Sequence, residues 1–318
     1  MKILIAGGAG YIGSALVPKL LDRGYEVDVI DLLWFGNNLP KEAKIIQKDI
    51  FTLEENNIKG YEQVIFLGGL SNDPMAEFSP GKNFVSNAAA PAYLGYLAKR
   101  AGVQRFIYAG SCSVYGYTVN ELYDETSPAI SHYPYGISKL QGEQAVMYMG
   151  DDKFSVICFR QGTVCGYSPR MRLDLVINTM FKTAMQTKAI TVNNPAIWRP
   201  ILSIQDAVSA YIRAIEANAE ISGIFNIASG NYTLGELGDV VRNSIEQELH
   251  INIGLTIKHM HDLRNYKVTS EKAKNVLSFK PKHGAESIVK ELIEHRDKFK
   301  DYDNPKYYNI QVFKTLKD

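Results

Sequence analysis

Lys2-Ile3-Leu4-Ile5-Ala6-Gly7-Gly8-Ala9-Gly10-Tyr11-Ile12-Gly13 opens the chain with an apolar run that breaks into a glycine-rich turn and then into a helix-forming segment. An unbroken apolar run of this length reads as a strand buried on both faces. Gly7, Gly10 and Gly13 each answer a need: a tight turn, close approach of backbone to a pyrophosphate, and tight packing of helix on strand. The helix that begins at Tyr11 and Ile12 would aim free amides and a positive dipole end at the same place. Glycine-rich turns are common, so context has to carry the reading. Glu26–Asp31 supplies it as a second strand whose last residue, Asp31, lies eighteen positions after Gly13. A carboxylate there accepts both hydroxyls of an adenosine ribose and repels a 2′-phosphate, which predicts NAD rather than NADP.

Outward from this turn the same alternation repeats. Lys44–Gln47, Gln63–Leu67, Arg105–Ala109 and Ser155–Arg160 read as further buried strands. Gly10–Arg23, Ala88–Ala101 and Tyr135–Met149 have helical composition and apolar spacing, and Gly24 and Gly102 follow the first two as C-terminal glycines. Strands alternating with helices predict an α/β fold, a doubly wound parallel sheet of the Rossmann type. Ligands of such sheets bind at the carboxyl ends of the strands. Asp49-Ile50 after the third strand and Leu67-Gly68 after the fourth are therefore expected to flank the cofactor. The regular pattern fails from Gly166 to Arg199. We expect a dinucleotide-binding domain over 1–165, later elements near 201–230 returning to it, and 166–318 forming mainly a smaller C-terminal substrate-binding lobe. The last residues, Asp301–Asp318, rich in Tyr, Lys and Asn, read as a loosely packed tail.

Composition narrows the function classes. The 318 residues carry 35 basic against 34 acidic groups, with no basic stripe, which argues against nucleic acid as a partner. Cys112, Cys158 and Cys165 lack CxxC spacing, so neither a disulfide framework nor a metal site is expected. Met1 leads straight into the first strand, and no apolar stretch is long enough for a bilayer, so the expectation is a cytoplasmic protein without a membrane partner.

Tyr135-Gly136-Ile137-Ser138-Lys139 places a phenol and an amine four residues apart, on one face of a helix. A phenol titrates near pH 10 on its own, and a neighbouring cation favours its ionised form, bringing it towards use as a base. Ala109-Gly110-Ser111-Cys112-Ser113-Val114-Tyr115-Gly116 follows the fifth strand, where Ser111 can hydrogen-bond a reacting oxygen.

With these pieces in order, the sequence resembles the extended short-chain dehydrogenase/reductase family, in particular its nucleotide-sugar epimerases and dehydrogenases. The resemblance rests on the glycine turn, Asp31, Asn87, Ser111–Gly116 and Tyr135–Lys139, and continues through Arg160–Gly166, Arg199-Pro200 with Asp206, and Asp262-Leu263-Arg264. It implies Ser111, Tyr135 and Lys139 as the catalytic set. Tyr135, Lys139 and Asn87 would also contact the cofactor, Lys139 at the nicotinamide ribose. It further implies a substrate diphosphate between the lobes, for which Arg172, Arg199, Arg264 and Asn178 are candidates, with Arg170 beside them.

Departures from the family pattern are informative. Its 4,6-dehydratases follow the catalytic Ser or Thr with an Asp-Glu pair; this chain has Cys112 and Ser113, which argues against dehydration. Its 3,5-epimerases place a catalytic Cys where Ser113 stands. Many relatives read Arg-x-x-Asn where this chain reads Arg160-Gln161-Gly162-Thr163, so Thr163 takes the place of a substrate-facing amide. The resulting expectation is NAD-dependent chemistry at a ring hydroxyl, C4 foremost, of a nucleoside-diphosphate sugar. By family frequency that is 4-epimerisation; net 4-dehydrogenation or 4-ketoreduction is the alternative, and a dinucleotide-sensing binding protein the non-enzymatic one. A homodimer or higher homo-oligomer is expected through the helices Ala88–Ala101 and Tyr135–Met149, with Met147, Tyr148 and Met149 as the contact stripe.

Overall fold

A computed structural model describes residues 1–259 and 264–316. Seven parallel strands form one sheet in the order Gly223–Ile227, Ser155–Gln161, Arg105–Ser111, Gln63–Phe66, Lys2–Ala6, Glu26–Asp31, Lys44–Gln47. Chain order reverses at Lys2–Ala6, which lies between Gln63–Phe66 and Glu26–Asp31. This is the crevice where open parallel sheets take ligands, and the glycine turn stands at its mouth.

The sheet is buried on both faces because its strands carry apolar side chains at odd and even positions alike. Ile3, Ile5, Val29, Ile107 and Phe159 pack on one face against Leu16, Val17, Ala207 and Tyr211 of the helices Tyr11–Leu21 and Ile204–Glu216. On the other face Leu4, Ala6, Val64, Phe106 and Val156 meet Leu94, Leu97 and Val146 of the helices Ala90–Arg100 and Pro134–Met147. The six strands read from the sequence all occur, with boundary shifts of at most two residues. The C-terminal glycine after the first helix also does its part, Gly24 adopting φ +78°.

The second lobe is built on a separate core, with Leu173, Ile177, Phe181, Ile190, Leu237, Ile288, Leu292 and Phe299 at its centre. It contains a helix over Val176–Thr187 and a strand over Ala189–Asn193, neither legible in the sequence. Asn178 and three threonines interrupt the apolar face of that helix. The hydroxyls of Thr183 and Thr187 return to the carbonyls four residues back, at 2.8 Å each, and Thr187 also reaches the Ala189 carbonyl at 3.3 Å, so nearby backbone satisfies both. A three-stranded sheet of Gly230–Thr233, Trp198–Ser203 and Thr163–Cys165 links the lobes.

The expected loose tail is corrected. Asn309–Thr315 is a helix with Asn309, Val312 and Phe313 buried. Phe313 joins Leu70, Met75, Trp34, Ile310 and Leu316 in a cluster on the larger domain. The chain thus ends by crossing back over the cleft. The contact stripe expected on the Tyr135 helix is also corrected in part: Met147 and Met149 pack onto the large core, and Tyr148 alone is fully outside, 93% exposed. Cys112, Cys158 and Cys165 are free and buried. Among the described residues no helix is long and apolar enough to cross a membrane.

Candidate active site

The carboxyl ends of the central strands and the facing wall of the second lobe enclose a cavity of about 1350 Å³. Pockets for one small ligand run to roughly 300–1,000 Å³, so this one has room for two. Gly7, Gly10, Tyr11, Ile12, Asp31, Asp49, Ile50, Leu67, Gly68 and Arg170 line one arm, and Ser111, Tyr135, Thr163, Arg172, Arg199 and Arg264 the rest.

At the first arm, Gly7 has φ +78°, and a Cβ there would come within 2.5 Å of the Gly68 backbone. Gly13 lies beneath the wall: a Cβ on it would overlap the Gly8 carbonyl, so the helix can sit this close to the turn only with glycine. Gly10 begins the helix without any side-chain cap, leaving first-turn amides for an anion. The Asp31 carboxylate accepts from the Ala9 N–H at 2.9 Å and the Leu33 N–H at 2.8 Å, which fixes it at the rim. Burial pushes its pKa up, and those two N–H groups oppose the rise. Asp49 caps the turn Ile50–Thr52, accepting from Phe51 N–H at 2.9 Å. A wall where no side chain fits at the turn, uncapped amides above it and a ribose-height carboxylate beside it match an extended dinucleotide.

At the other arm, Ser111 and Tyr135 face each other across the gap between the fifth strand and the helix Pro134–Met147. Burial pushes the Tyr135 phenol up to about 12, Ser111's hydroxyl and the Arg172 guanidinium pull it down, and Asp73 raises it. Ser113 donates to Ser111 Oγ at 2.9 Å, so Ser111 has its own hydrogen left to offer. Lys139 is 4% exposed and lies behind the wall; its Nζ donates to the Ala109 carbonyl at 2.9 Å, and burial pushes its pKa down to about 7. The helix that carries both groups is pinned to the sheet by a buried pair. Arg160 donates to both oxygens of Glu143, at 2.9 and 2.7 Å, and to Tyr115 Oη at 2.9 Å. Cys112 is buried, its thiol donating to the Arg160 carbonyl at 3.1 Å and pushed up in pKa by that burial.

Three expected contacts are not brought to the cavity: Lys139, whose Nζ is held on the Ala109 carbonyl and not at a nicotinamide ribose, Asn87 and Asn178. Asn87 sits in a π-helical turn, Val85–Ala89, with its amide donating to the Leu70 carbonyl at 2.9 Å and to Asn83 Oδ1 at 2.8 Å. It fastens the wall and does not reach a ligand. Asn178 is fully buried: its Nδ2 donates to the Arg172 carbonyl at 2.8 Å and its Oδ1 accepts from the Gly166 N–H at 3.0 Å. Its amide therefore shapes the loop that presents Arg170 and Arg172 and does not itself face a diphosphate. Asp262 and Leu263 lie outside the described residues.

Sequence reasoning names Arg172, Arg199 and Arg264 but misses the partners that hold them, because distant segments supply several of those partners. Arg172 Nε donates to Asp174 Oδ1 at 2.8 Å, and Asn72 Nδ2 donates to Asp174 Oδ2 at 3.0 Å. Arg264 pairs with Asp73 at 2.6 Å and lies over the Tyr133 ring. Arg199 donates to the Trp198 carbonyl at 3.0 Å and lies over Tyr266. Trp34, Phe35, Gln161, Asn309 and Phe313 also line the cavity. The four residues after Asp31 carry one signal that sequence could have given, the successive aromatics Trp34 and Phe35 in a loop.

Comparison with known proteins places this geometry. The family model described as NAD dependent epimerase/dehydratase matches residues 3–228. The UDP-glucose 4-epimerase of Corynebacterium glutamicum is 24% identical over 304 residues, covering 89% of this chain and 92% of its own. UDP-glucuronic acid decarboxylase 3 of Arabidopsis thaliana is 27% identical over 299 residues, covering 89% and 85%. In fold, the UDP-glucose 4-epimerase of Thermotoga maritima solved with UDP-glucose superposes with a TM-score of 0.82 at 23% identity, over 94% of this chain and 99% of that one. A matched segment running from the glycine turn through Asp31, Ser111, Tyr135 and Lys139 to the last strand of the sheet spans everything described above at the cofactor end. The chain is an enzyme that uses NAD, and it belongs to the NAD dependent epimerase/dehydratase family.

Proposed function

We propose that the protein oxidises a ring hydroxyl, at C4, of a nucleoside-diphosphate sugar and then reduces the resulting ketone from the opposite face, a net 4-epimerisation. The observation that carries this reading is the pairing of Ser111 with Tyr135 where neither of the two positions after Ser111 holds a carboxylate. The positions after Ser111 are a buried Cys112 thiol spent on the Arg160 carbonyl and Ser113, spent on Ser111. Removal of water needs an acid and a base there, so the chemistry the residues favour is hydride and proton transfer at one carbon.

NAD, when bound, supplies a two-electron acceptor that takes and returns a hydride. Gly7, Gly10, Tyr11 and Ile12 hold its diphosphate, Asp31 its adenosine ribose, with Asp49, Ile50, Leu67 and Gly68 flanking and Gly13 keeping the helix close. Tyr135 removes the proton from the sugar hydroxyl as the C–H bond breaks and returns it when the ketone is reduced. Ser111 donates to the same oxygen, holding it through both states. Lys139 stands behind Tyr135 and organises the strand end that carries Ser111. Arg199 and Arg264 take the substrate's diphosphate at the far end, and Thr163 offers a hydroxyl to the sugar. Three free, buried cysteines support a cytoplasmic setting, where sugar nucleotides for carbohydrate biosynthesis are interconverted. The outward Tyr96, Ile137 and Tyr148, at 50%, 41% and 93% exposure, support a homodimer through the two helices that carry them. Light scattering that returned the 35.6 kDa of one chain at micromolar concentration would reject it.

The assay is incubation with UDP-, GDP- and dTDP-sugars, with and without added NAD. The reading expects a C4 isomer without net NADH. A keto sugar with stoichiometric NADH would make the enzyme a net dehydrogenase, and absence of any product with all three series would refute the substrate class.

A further inference from the structure

Arg170 comes from the smaller lobe yet is seated on the larger one. Its backbone N–H donates to Ser14 Oγ at 3.2 Å, in the helix that follows the glycine turn. Its guanidinium stacks 3.6 Å above the Phe35 ring, in the loop that leaves Asp31. The residue is 3% exposed and lines the cavity, and its Nε has no hydrogen-bond partner among the described residues. A planar cation held flat on an aromatic face keeps its edge for a ligand. The contacts with Ser14 and Phe35 put it between the helix that follows the glycine turn and the loop that leaves Asp31.

The charge balance points the same way. Arg172, two residues on, spends its Nε on Asp174. Among the described residues Arg170 has no ion pair. Burial first, and the Arg172 cation second, push its pKa well below the guanidinium range. Asp174 and, at Arg170, Asp31 act on these two buried guanidiniums, but the buried Arg170 Nε has no partner among the described residues, and a diphosphate would satisfy it. The position of Arg170 between Ser14 and Phe35 is the cofactor arm, whereas Arg199 and Arg264 belong to the other.

The third feature is the end of the chain. Arg170 Nη2 donates to Asn309 Oδ1 at 2.5 Å. Asn309 in turn donates through Nδ2 to Ser71 Oγ at 2.6 Å and through its backbone to Asp174 Oδ2 at 3.2 Å. One turn later Phe313 is wedged between Trp34 and Phe78, with ring centroids 5.9 and 6.0 Å away. The C-terminal helix therefore fastens both lobes together across the cofactor arm.

We propose that Arg170 is a ligand of the dinucleotide's diphosphate, held in place by Asn309, and that the C-terminal helix is the latch that retains the cofactor. This rests on the reading that NAD occupies the glycine-turn arm. A retained cofactor suits a reaction in which the hydride is returned, since no exchange is needed between turnovers.

The test is calorimetric binding of NAD and, separately, of UDP to the full chain, with NAD dissociation followed by dilution. A charge-assisted hydrogen bond to phosphate corresponds to about tenfold or more in affinity. Arg170→Gln is expected to weaken NAD by that factor with UDP affinity changed less than twofold, and Arg170→Lys to recover part of it. Asn309→Ala and Phe313→Ala are expected to speed NAD release about tenfold while near-native circular dichroism is kept. The latch variants keep the proposal testable should Arg170→Gln fold poorly. Arg170→Gln binding NAD as the parent does, or losing UDP instead, would overturn the assignment. Unchanged release from Phe313→Ala would overturn the latch. A parent protein that binds no NAD would instead remove the reading beneath both.

Discussion

Lys139 Nζ donates a 2.9 Å hydrogen bond to the carbonyl of Ala109, two residues before Ser111 on the same strand. The amine thus reaches past Tyr135 to the strand end that carries the serine, and fixes the spacing of phenol and hydroxyl. Their electrostatics can be read from the pH profile. Activity in the oxidising direction requires Tyr135 deprotonated, so kcat/KM rises with pH through its pKa. Ser111→Ala removes a stabilising hydrogen bond to the phenolate and should move that limb to higher pH. Asp73→Asn removes a repelling charge and should move it lower. Each shift should reach at most about one pH unit, the worth of one such interaction. Limbs that coincide with the parent's would show that neither group faces the base.

Lys139 has a stability signature separate from its chemistry. Burial lowers its folded pKa to about 7 from 10.5. Between those values the unfolded chain binds more protons than the folded one, so stability rises with pH across that window and the contribution is least favourable below pH 7. Lys139→Met should remove the slope, leaving thermal stability at pH 7 no lower than the parent's while turnover falls. A steep loss of stability in this variant would mean that the amine is charged and compensated in the fold.

Two substitutions separate steric from electrostatic fit at the cofactor arm. Gly13→Ala puts a Cβ onto the Gly8 carbonyl and should weaken NAD about tenfold or more by forcing the turn open. Asp31→Ala removes both the ribose contact and the repulsion of a 2′-phosphate, and should bring NAD and NADP affinities together. Calorimetry checks both, and a parent protein that favoured NADP would contradict the role of Asp31.

Glu143→Gln should destabilise the protein by about 3–5 kcal/mol, because it strands the buried Arg160 guanidinium without its charge partner. Denaturant unfolding measures this directly. A change below about 1 kcal/mol would place the pair nearer to solvent than its 5% and 2% side-chain exposure indicates.

What could be read from the sequence divides along the range of the interactions. The glycine turn, Asp31, Ser111 and Tyr135 are legible because short-range rules place each one: a glycine where a Cβ has no room, a carboxylate ending a strand, a phenol on the first turn of a helix. Asn87 and Asn178 were read as ligand contacts, yet their partners are Leu70, Asn83, Gly166 and Arg172. An amide buried by packing and an amide facing a ligand look alike in one dimension. The tail was misjudged for the same reason: Phe313 finds its apolar partners at Trp34, Leu70 and Met75, far away in the chain. The Thr-rich helix Val176–Thr187 hid its apolar face behind hydroxyls satisfied by backbone carbonyls in and next to the helix.

The central claim is that Tyr135 is the acid–base residue of a hydride-transfer reaction on a nucleotide sugar. Tyr135→Phe keeps the ring and removes only the reacting oxygen, so it is the most direct test. Loss of a general base costs on the order of a hundred- to ten-thousandfold in rate. We predict that Tyr135→Phe binds NAD with the parent's affinity by calorimetry and loses turnover of nucleotide sugar by that factor. Turnover at the parent rate would contradict the account.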